Sequence, residues 1–180
     1  MKAPYTVSFG SFLFGIFFML IKKLIRTVPD YPKPGIMFRD ITTLIKDPIG
    51  LNLVVKEFCS RYARLRIDKV VGIESRGFII GAPIAYELGV GFIPIRKKGK
   101  LPPPKIALEY QLEYGTDTLE IKQGDGKAVI VDDVLATGGT MNAAEQLALN
   151  AGYNVTDKLV LINLKFLNSE LSIKSLIEYE

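Results

Sequence analysis

Two adjacent carboxylates, Asp132 and Asp133, end an apolar run, and Thr137-Gly138-Gly139-Thr140 follows after Val134-Leu135-Ala136. A short continuous apolar run reads as a buried strand, which puts the aspartates at a strand tip. Gly138 and Gly139 let the backbone curl around an anion, while Thr137 and Thr140 supply hydroxyl donors. A helix starting there adds free N–H groups and the positive end of its dipole. The pattern is a phosphate cradle, without the Gly-Lys-Ser/Thr of a Walker loop or the G-x-G-x-x-G of a dinucleotide fold. Carboxylates beside a phosphate repel it unless they face something else, and sugar hydroxyls or a hydrated magnesium ion suit them. A solvated Asp-Asp turn capping the next helix is the plain alternative. The apolar strand before the pair and the Thr-Gly-rich turn after it favour a ligand.

Other chemistry-bearing residues fall in two further stretches. Glu74-Ser75-Arg76-Gly77 ends the apolar run "DKVVGIE", and Arg96, Lys97 and Lys100 belong to the basic stretch "RKKGKLPPP". Arg76 is an anion contact or an ordinary surface arginine, and its place at a strand end before glycine favours the first. The chain has no histidine, which removes imidazole catalysis and most zinc sites. Cys59 stands alone, so there is no internal disulfide and a reducing, cytoplasmic compartment is expected. It lies on the apolar side of a helical pattern and reads as a core residue.

These loops need a frame. Asp47-Pro48 opens a helical pattern in which Leu51, Val54, Val55, Phe58, Tyr62 and Leu65 recur, predicting a helix that ends near Arg66. "DKVVGIE", "FIPIR", "TDTLEI", "KAVIVDD" and "KLVLINLKF" read as strands; "SRGFIIGAPIAYELG" and "GGTMNAAEQLALNAG" read as helices closed by glycine. Strands alternating with helices predict an α/β fold, a mostly parallel sheet with helices on both faces. In such a sheet a site forms beyond the carboxyl ends of the strands, where loops 74–77, 96–105 and 132–140 would meet. Upstream, Pro29, Pro32, Pro34 and Gly35 predict a rigid, extended connection.

With those motifs in place, "VIVDDVLATGGT" resembles the phosphoribosyl diphosphate (PRPP) motif of type I phosphoribosyltransferases. "PDYPKPGIMFRDIT", "GIESRGFIIGAPIAYELGVGF", "IRKKGKLP" and "LEYGTDTLEI" narrow the resemblance to the adenine phosphoribosyltransferase family, over roughly 24–180. It implies the type I fold: a mostly parallel twisted sheet flanked by helices, with a small N-terminal hood. The implied reaction converts adenine and PRPP to AMP and pyrophosphate, with magnesium bound alongside PRPP. Ala136, Thr137, Gly138, Gly139 and Thr140 would hold the 5′-phosphate, and Asp132 and Asp133 the ribose hydroxyls, with either aspartate a candidate contact for the metal. Glu74, Ser75 and Arg76 match the pyrophosphate loop, with Arg76 its principal cation. Arg96, Lys97 and Lys100 match the start of a mobile loop that shields the site. Further along that loop, Glu113 is the implied acid/base and Tyr114 helps closure. Met37, Phe38 and Arg39 would form the adenine pocket, Phe38 by stacking, although the Arg39 side chain equally suits a pair with Asp40 or Asp47. A homodimer is implied. A phosphoribosyltransferase for another base, or a PRPP-sensing regulator without turnover, would share these loops, but Glu113-Tyr114 and the full basic loop argue against the sensor.

The first residues set a separate question. Tyr5–Ile21 is apolar but short of the ~20 residues a spanning helix needs, and Ser8, Gly10, Ser11 and Gly15 dilute it. A packing helix or an upstream start is therefore favoured over an anchor, so membrane contact by the leader is not the expectation. The expected division is a leader at 1–23 and a phosphoribosyltransferase domain at 24–180. With 180 residues, 48% apolar and a net charge of +4, the chain suits one globular domain that takes an anionic small molecule. No basic-aromatic tract argues for nucleic acid.

Overall fold

Ile21, Ile25, Ile41 and Leu44 are all buried, and they belong to the first of two compact units, Met1–Leu53 and Val54–Glu180. The computed structural model describes residues 11–112, 115–168, 171 and 173–180. In the first unit, helix α1 (Ser11–Leu24) leads into β1 (Arg26–Val28), β2 (Phe38–Asp40) and the short helix α2 (Thr42–Ile45). The prolines between the strands do not make an extended connection. β1 and β2 pair antiparallel, Arg26 opposite Asp40 and Val28 opposite Phe38. The intervening loop folds back, with Tyr31 N–H donating to Ile36 O and Gly35 N–H to Asp30 Oδ1 at 2.7 Å. A turn satisfied by its own backbone and an aspartate replaces the stiff spacer that proline content suggested.

Helix α3 (Pro48–Tyr62) starts as the sequence requires: proline takes its first position and Asp47 Oδ1 accepts the Gly50 amide at 2.8 Å. It ends at Tyr62, not near Arg66. The Leu65 amide closes on Tyr62 O in a tighter turn, and Leu65 is left 53% exposed. Val54, Val55, Phe58, Cys59 and Tyr62 keep the apolar face, and Tyr62 Oη donates to Asp157 Oδ2 at 2.9 Å.

The second unit holds a seven-stranded sheet. Its elements are β3 (Lys69–Ile73), α4 (Arg76–Leu88), β4 (Gly91–Lys97), β5 (Ile106–Leu112), β6 (Gly115–Ile121), β7 (Lys127–Leu135), α5 (Gly139–Asn150), β8 (Asn154–Leu164) and β9 (Lys174–Tyr179). Strand order is β5-β6-β4-β3-β7-β8-β9. β4, β3, β7, β8 and β9 run parallel, while β6 is antiparallel to β4 and β5. Val71, Ile73, Ala128 and Ile130 pack with Ala144, Leu147 and Ala148 of α5 in one apolar cluster. On α4, Gly81 sits over Val70 and Phe92; a Cβ there would stand 3.0 Å from the Phe92 ring.

From β3 the chain steps outward to β4, then returns to lay β7 on the other side of β3. That reversal is a topological switch point, and the carboxyl ends of β3 and β7 open a crevice there. It places 74–77 beside 132–140 with no contribution from loop chemistry.

Candidate active site

Residues that follow β3 and residues of β7 and the turn after it line one cavity of about 290 Å³, together with Lys97, Tyr110 and Asp117. Glu74, Ser75, Arg76, Asp132, Asp133, Ala136, Thr137, Gly138, Gly139 and Thr140 all line it. Close approach depends on Gly77. A Cβ there would stand 2.8 Å from Val131 O and 3.0 Å from Asp132 Oδ1, so only glycine lets α4 begin this near the aspartates. Asp132 and Asp133 lie within β7 and not at its tip as the sequence suggested, because pairing with β8 continues to Leu135. Arg76 thereby reaches Asp133, its Nε 2.9 Å from Oδ2. The Glu74–Ser75 peptide is cis.

Helices α4 and α5 both start at this cavity, and neither has a side-chain cap or an acidic residue in its first turn. Uncapped N–H groups and two positive dipole ends make a cavity that prefers anions in two places. Gly138, which precedes α5, has φ of +89°, a conformation that glycine adopts at little cost and a residue with a Cβ does not. Gly139 differs from the expectation of a second close-approach glycine. It is the first residue of the helix, and among the described residues a Cβ there would meet only Gln111 O, at an ordinary 3.7 Å.

The carboxylates divide by environment. Asp133 is buried and Asp132 half-buried. Burial pushes the Asp132 carboxyl well above the usual range, and the neighbouring Asp133 charge adds to it. Burial also raises Asp133, against the pull of the Arg76 guanidinium. Asp132 Oδ1 accepts the Asp133 amide at 2.9 Å. Glu74 shows the reverse: hydrogen bonds from Arg96 hold its carboxyl below the usual range, helped by the Lys97 amide at 2.7 Å. Arg96 Nε lies 3.0 Å from Glu74 Oε2, and its guanidinium sits 5.7 Å from the centre of the Phe78 ring. Lys97 Nζ pairs with Asp117 Oδ2 at 3.3 Å. Lys100 is exposed, on a turn closed by its amide on Lys97 O.

The expected base-pocket residues lie in the first unit. Met37 is 48% exposed, Phe38 packs edge-on to Tyr31 at 5.1 Å, and Arg39 donates from its guanidinium to Thr27 Oγ1 on the paired strand. Glu113 and Tyr114 lie outside the described residues, between the register partners Leu112 and Gly115. Cys59 is a core residue: burial and then the Glu87 charge push its thiol up to about 11, and its Sγ lies 3.8 Å from Ile84 O.

Sequence reading missed Tyr110, Asp117 and Glu120. Ile106, Leu108 and Tyr110 alternate in β5 and pack on the core cluster, a period-two signal that the preceding prolines obscured. Glu120 is only 2% exposed and takes the amides of Gly99 and Leu101 and the ammonium of Lys105, at 2.9, 3.3 and 2.7 Å. A charged residue amid "TLEI" gives no sign of such burial.

With this geometry established, comparison with known proteins gives a consistent result. The model of the phosphoribosyl transferase domain matches residues 54–162. An adenine phosphoribosyltransferase of Methylobacillus flagellatus is 54% identical over 162 residues, covering 88% of this chain and 92% of its own length. The crystal structure of adenine phosphoribosyltransferase from Thermoanaerobacter pseudethanolicus superposes with a TM-score of 0.83 at 43% identity, covering 90% of this chain and 99% of that one. The Saccharomyces cerevisiae enzyme, solved with an imino-altritol bisphosphate and adenine, gives 0.82 at 33% identity, over 89% and 97% of the two chains.

Proposed function

Because the chain belongs to the phosphoribosyl transferase family, on its adenine phosphoribosyltransferase branch, we propose a residue-by-residue reading of its cavity. The reaction is transfer of the 5-phosphoribosyl group from PRPP to adenine, giving AMP and pyrophosphate. One observation carries the assignment of roles: two uncapped helix N-termini and a carboxylate pair share one cavity at the sheet's switch point. The α5 end, with Ala136 to Thr140, takes the 5′-phosphate. The α4 end, with Glu74, Ser75 and Arg76, takes the diphosphate, and Lys97 and Lys100 add positive charge. Arg96 supports this wall through Glu74.

Asp132 and Asp133 accept hydrogen bonds from the ribose hydroxyls. Their charge stabilises the cationic character that develops on the sugar as the C1′–oxygen bond breaks. Arg76 pairs with Asp133, which leaves the half-buried Asp132 as the carboxylate that would meet a divalent ion held chiefly by the substrate. Magnesium, when bound, would neutralise diphosphate oxygens beside Asp132 or Asp133. Glu113 moves the proton at an adenine ring nitrogen, Tyr114 helps close the loop, and Met37, Phe38 and Arg39 bind the base. The enzyme works in the cytoplasm as a homodimer, with 24–180 as its catalytic part and the leader dispensable. The reducing compartment expected from a lone buried thiol supports that location.

The test measures PRPP consumption with adenine, hypoxanthine, guanine, xanthine and orotate. Adenine should be preferred by at least ~10-fold over each 6-oxo purine, since a mismatched base leaves polar groups unpaired at about 1–3 kcal/mol each. Comparable turnover on hypoxanthine would overturn the base assignment.

A further inference from the structure

We propose that Asn168 is a positioning residue for the 5′-phosphate loop, and that it turns the peptide between Ala136 and Thr137 so that its N–H faces the phosphate. The proposal rests on the reading of Ala136 to Thr140 as the cradle. Asn168 follows a single 3-10 turn, Lys165–Leu167, and is 7% exposed. Its Nδ2 lies 2.5 Å from Ala136 O, 3.0 Å from Leu164 O and 3.4 Å from Leu135 O. Carbonyls on three sides fix which end of the amide faces the loop, because only its nitrogen donates.

Peptide geometry converts that contact into an effect on the ligand. In a trans peptide plane the C=O of one residue and the N–H of the next point in opposite directions. Ala136 and Thr137 line the cavity, whereas Asn168 stands behind the loop and does not. Drawing the Ala136 carbonyl back toward Asn168 therefore turns the Thr137 N–H forward. Without the brace the peptide is free to rotate and present its carbonyl, which repels an anion. The same segment closes the loop from a second side. Leu171 N–H donates to Asn168 O at 3.0 Å, and a side chain on Gly138 would collide with Leu171 Cδ1.

The experiment titrates ribose 5-phosphate into the full chain and its Asn168→Ala and Asn168→Asp variants by calorimetry. KM for PRPP and for adenine, and melting curves, are measured alongside. Asn168→Ala should weaken ribose 5-phosphate and raise the PRPP KM by about tenfold, the scale of a lost, well-placed hydrogen bond to a charged group. Asn168→Asp, which sets a carboxylate against carbonyls at unchanged volume, should do more. The adenine KM should stay within about twofold, since adenine carries no phosphate. Asn168→Asp carries the test if the alanine variant does not fold. A folded variant with wild-type affinity for ribose 5-phosphate overturns the proposal, as does an equal rise in both KM values. A wild-type chain that fails to bind ribose 5-phosphate would instead overturn the cradle reading itself.

Discussion

The cavity corner at Asp132-Asp133 and the base of the basic loop at Glu120 use carboxylates in opposite ways. Glu120 is surrounded by donors, two amides and the Lys105 ammonium, which hold its carboxyl down at about 2. Asp132 is raised by burial and by the Asp133 charge, whereas Asp133 is raised by burial alone, against the Arg76 charge and the hydrogen bond with Asp132. A saturated carboxylate organises backbone: Glu120 ties Gly99 and Leu101 into the turn that carries Lys97 and Lys100. An under-served carboxylate keeps lone pairs for a ligand, at a cost in stability while the site is empty. The difference separates carboxylates that build a loop from those that await a substrate.

Removing the under-served pair should have the largest effect on rate. Asp132→Asn with Asp133→Asn keeps the volume but removes the charge that faces the reacting sugar. Turnover of adenine and PRPP should fall by at least ~100-fold, the range for one electrostatic partner of a transition state. The melting temperature at pH 7 should change little, because relief of the raised Asp132 carboxyl is offset by loss of the Asp133–Arg76 ion pair. Near-normal turnover in the folded double variant would mean that the pair is structural, like Glu120.

Glu120→Gln probes the other side. The amide keeps the shape but loses the charge that Lys105 pairs with at 2.7 Å. The turn bearing Lys97 should loosen, raising the KM for PRPP by about tenfold with kcat changed less, while the melting temperature falls. Steady-state kinetics with each substrate varied separately reads this directly. An unchanged PRPP KM beside a lowered melting temperature would confine Glu120 to stability.

What was legible in the chain follows the same division. The β3 and β7 strands and the loops after them could be read because buried parallel strands are continuous apolar runs with glycine and charge at their ends. β5 was missed because Pro102, Pro103 and Pro104 read as loop and its alternation is short. β1 and β2 were missed because three-residue strands carry no measurable period. Asp132 and Asp133 stood out as charges where apolar residues were expected. Glu120 and Asn168 did not, because their roles depend on backbone amides and carbonyls from distant loops, and such partners leave no trace in side-chain spacing.

The finest test of the comparison is the pH dependence of stability, where the two kinds of carboxylate have opposite signs. The folded Glu120 carboxyl titrates at about 2, below its usual 4.5, so its contribution is whole above 4.5 and is lost as pH falls through about 2. The Asp132 carboxyl is raised, so it adds no penalty below the ordinary aspartate range near 4 and a growing one as pH rises through its raised value. Glutamine and asparagine mimic the protonated acids, so each variant should converge on wild type where its acid is protonated. Melting curves from pH 3 to 8 should show Glu120→Gln below wild type at neutral pH, with the gap narrowing toward acid. Asp132→Asn should lie above wild type by a few degrees at pH 7 and meet it near pH 3. An Asp132→Asn variant that melts below wild type at pH 7 would mean that Asp132 is as well served by donors as Glu120, and the division between building and waiting carboxylates would fall.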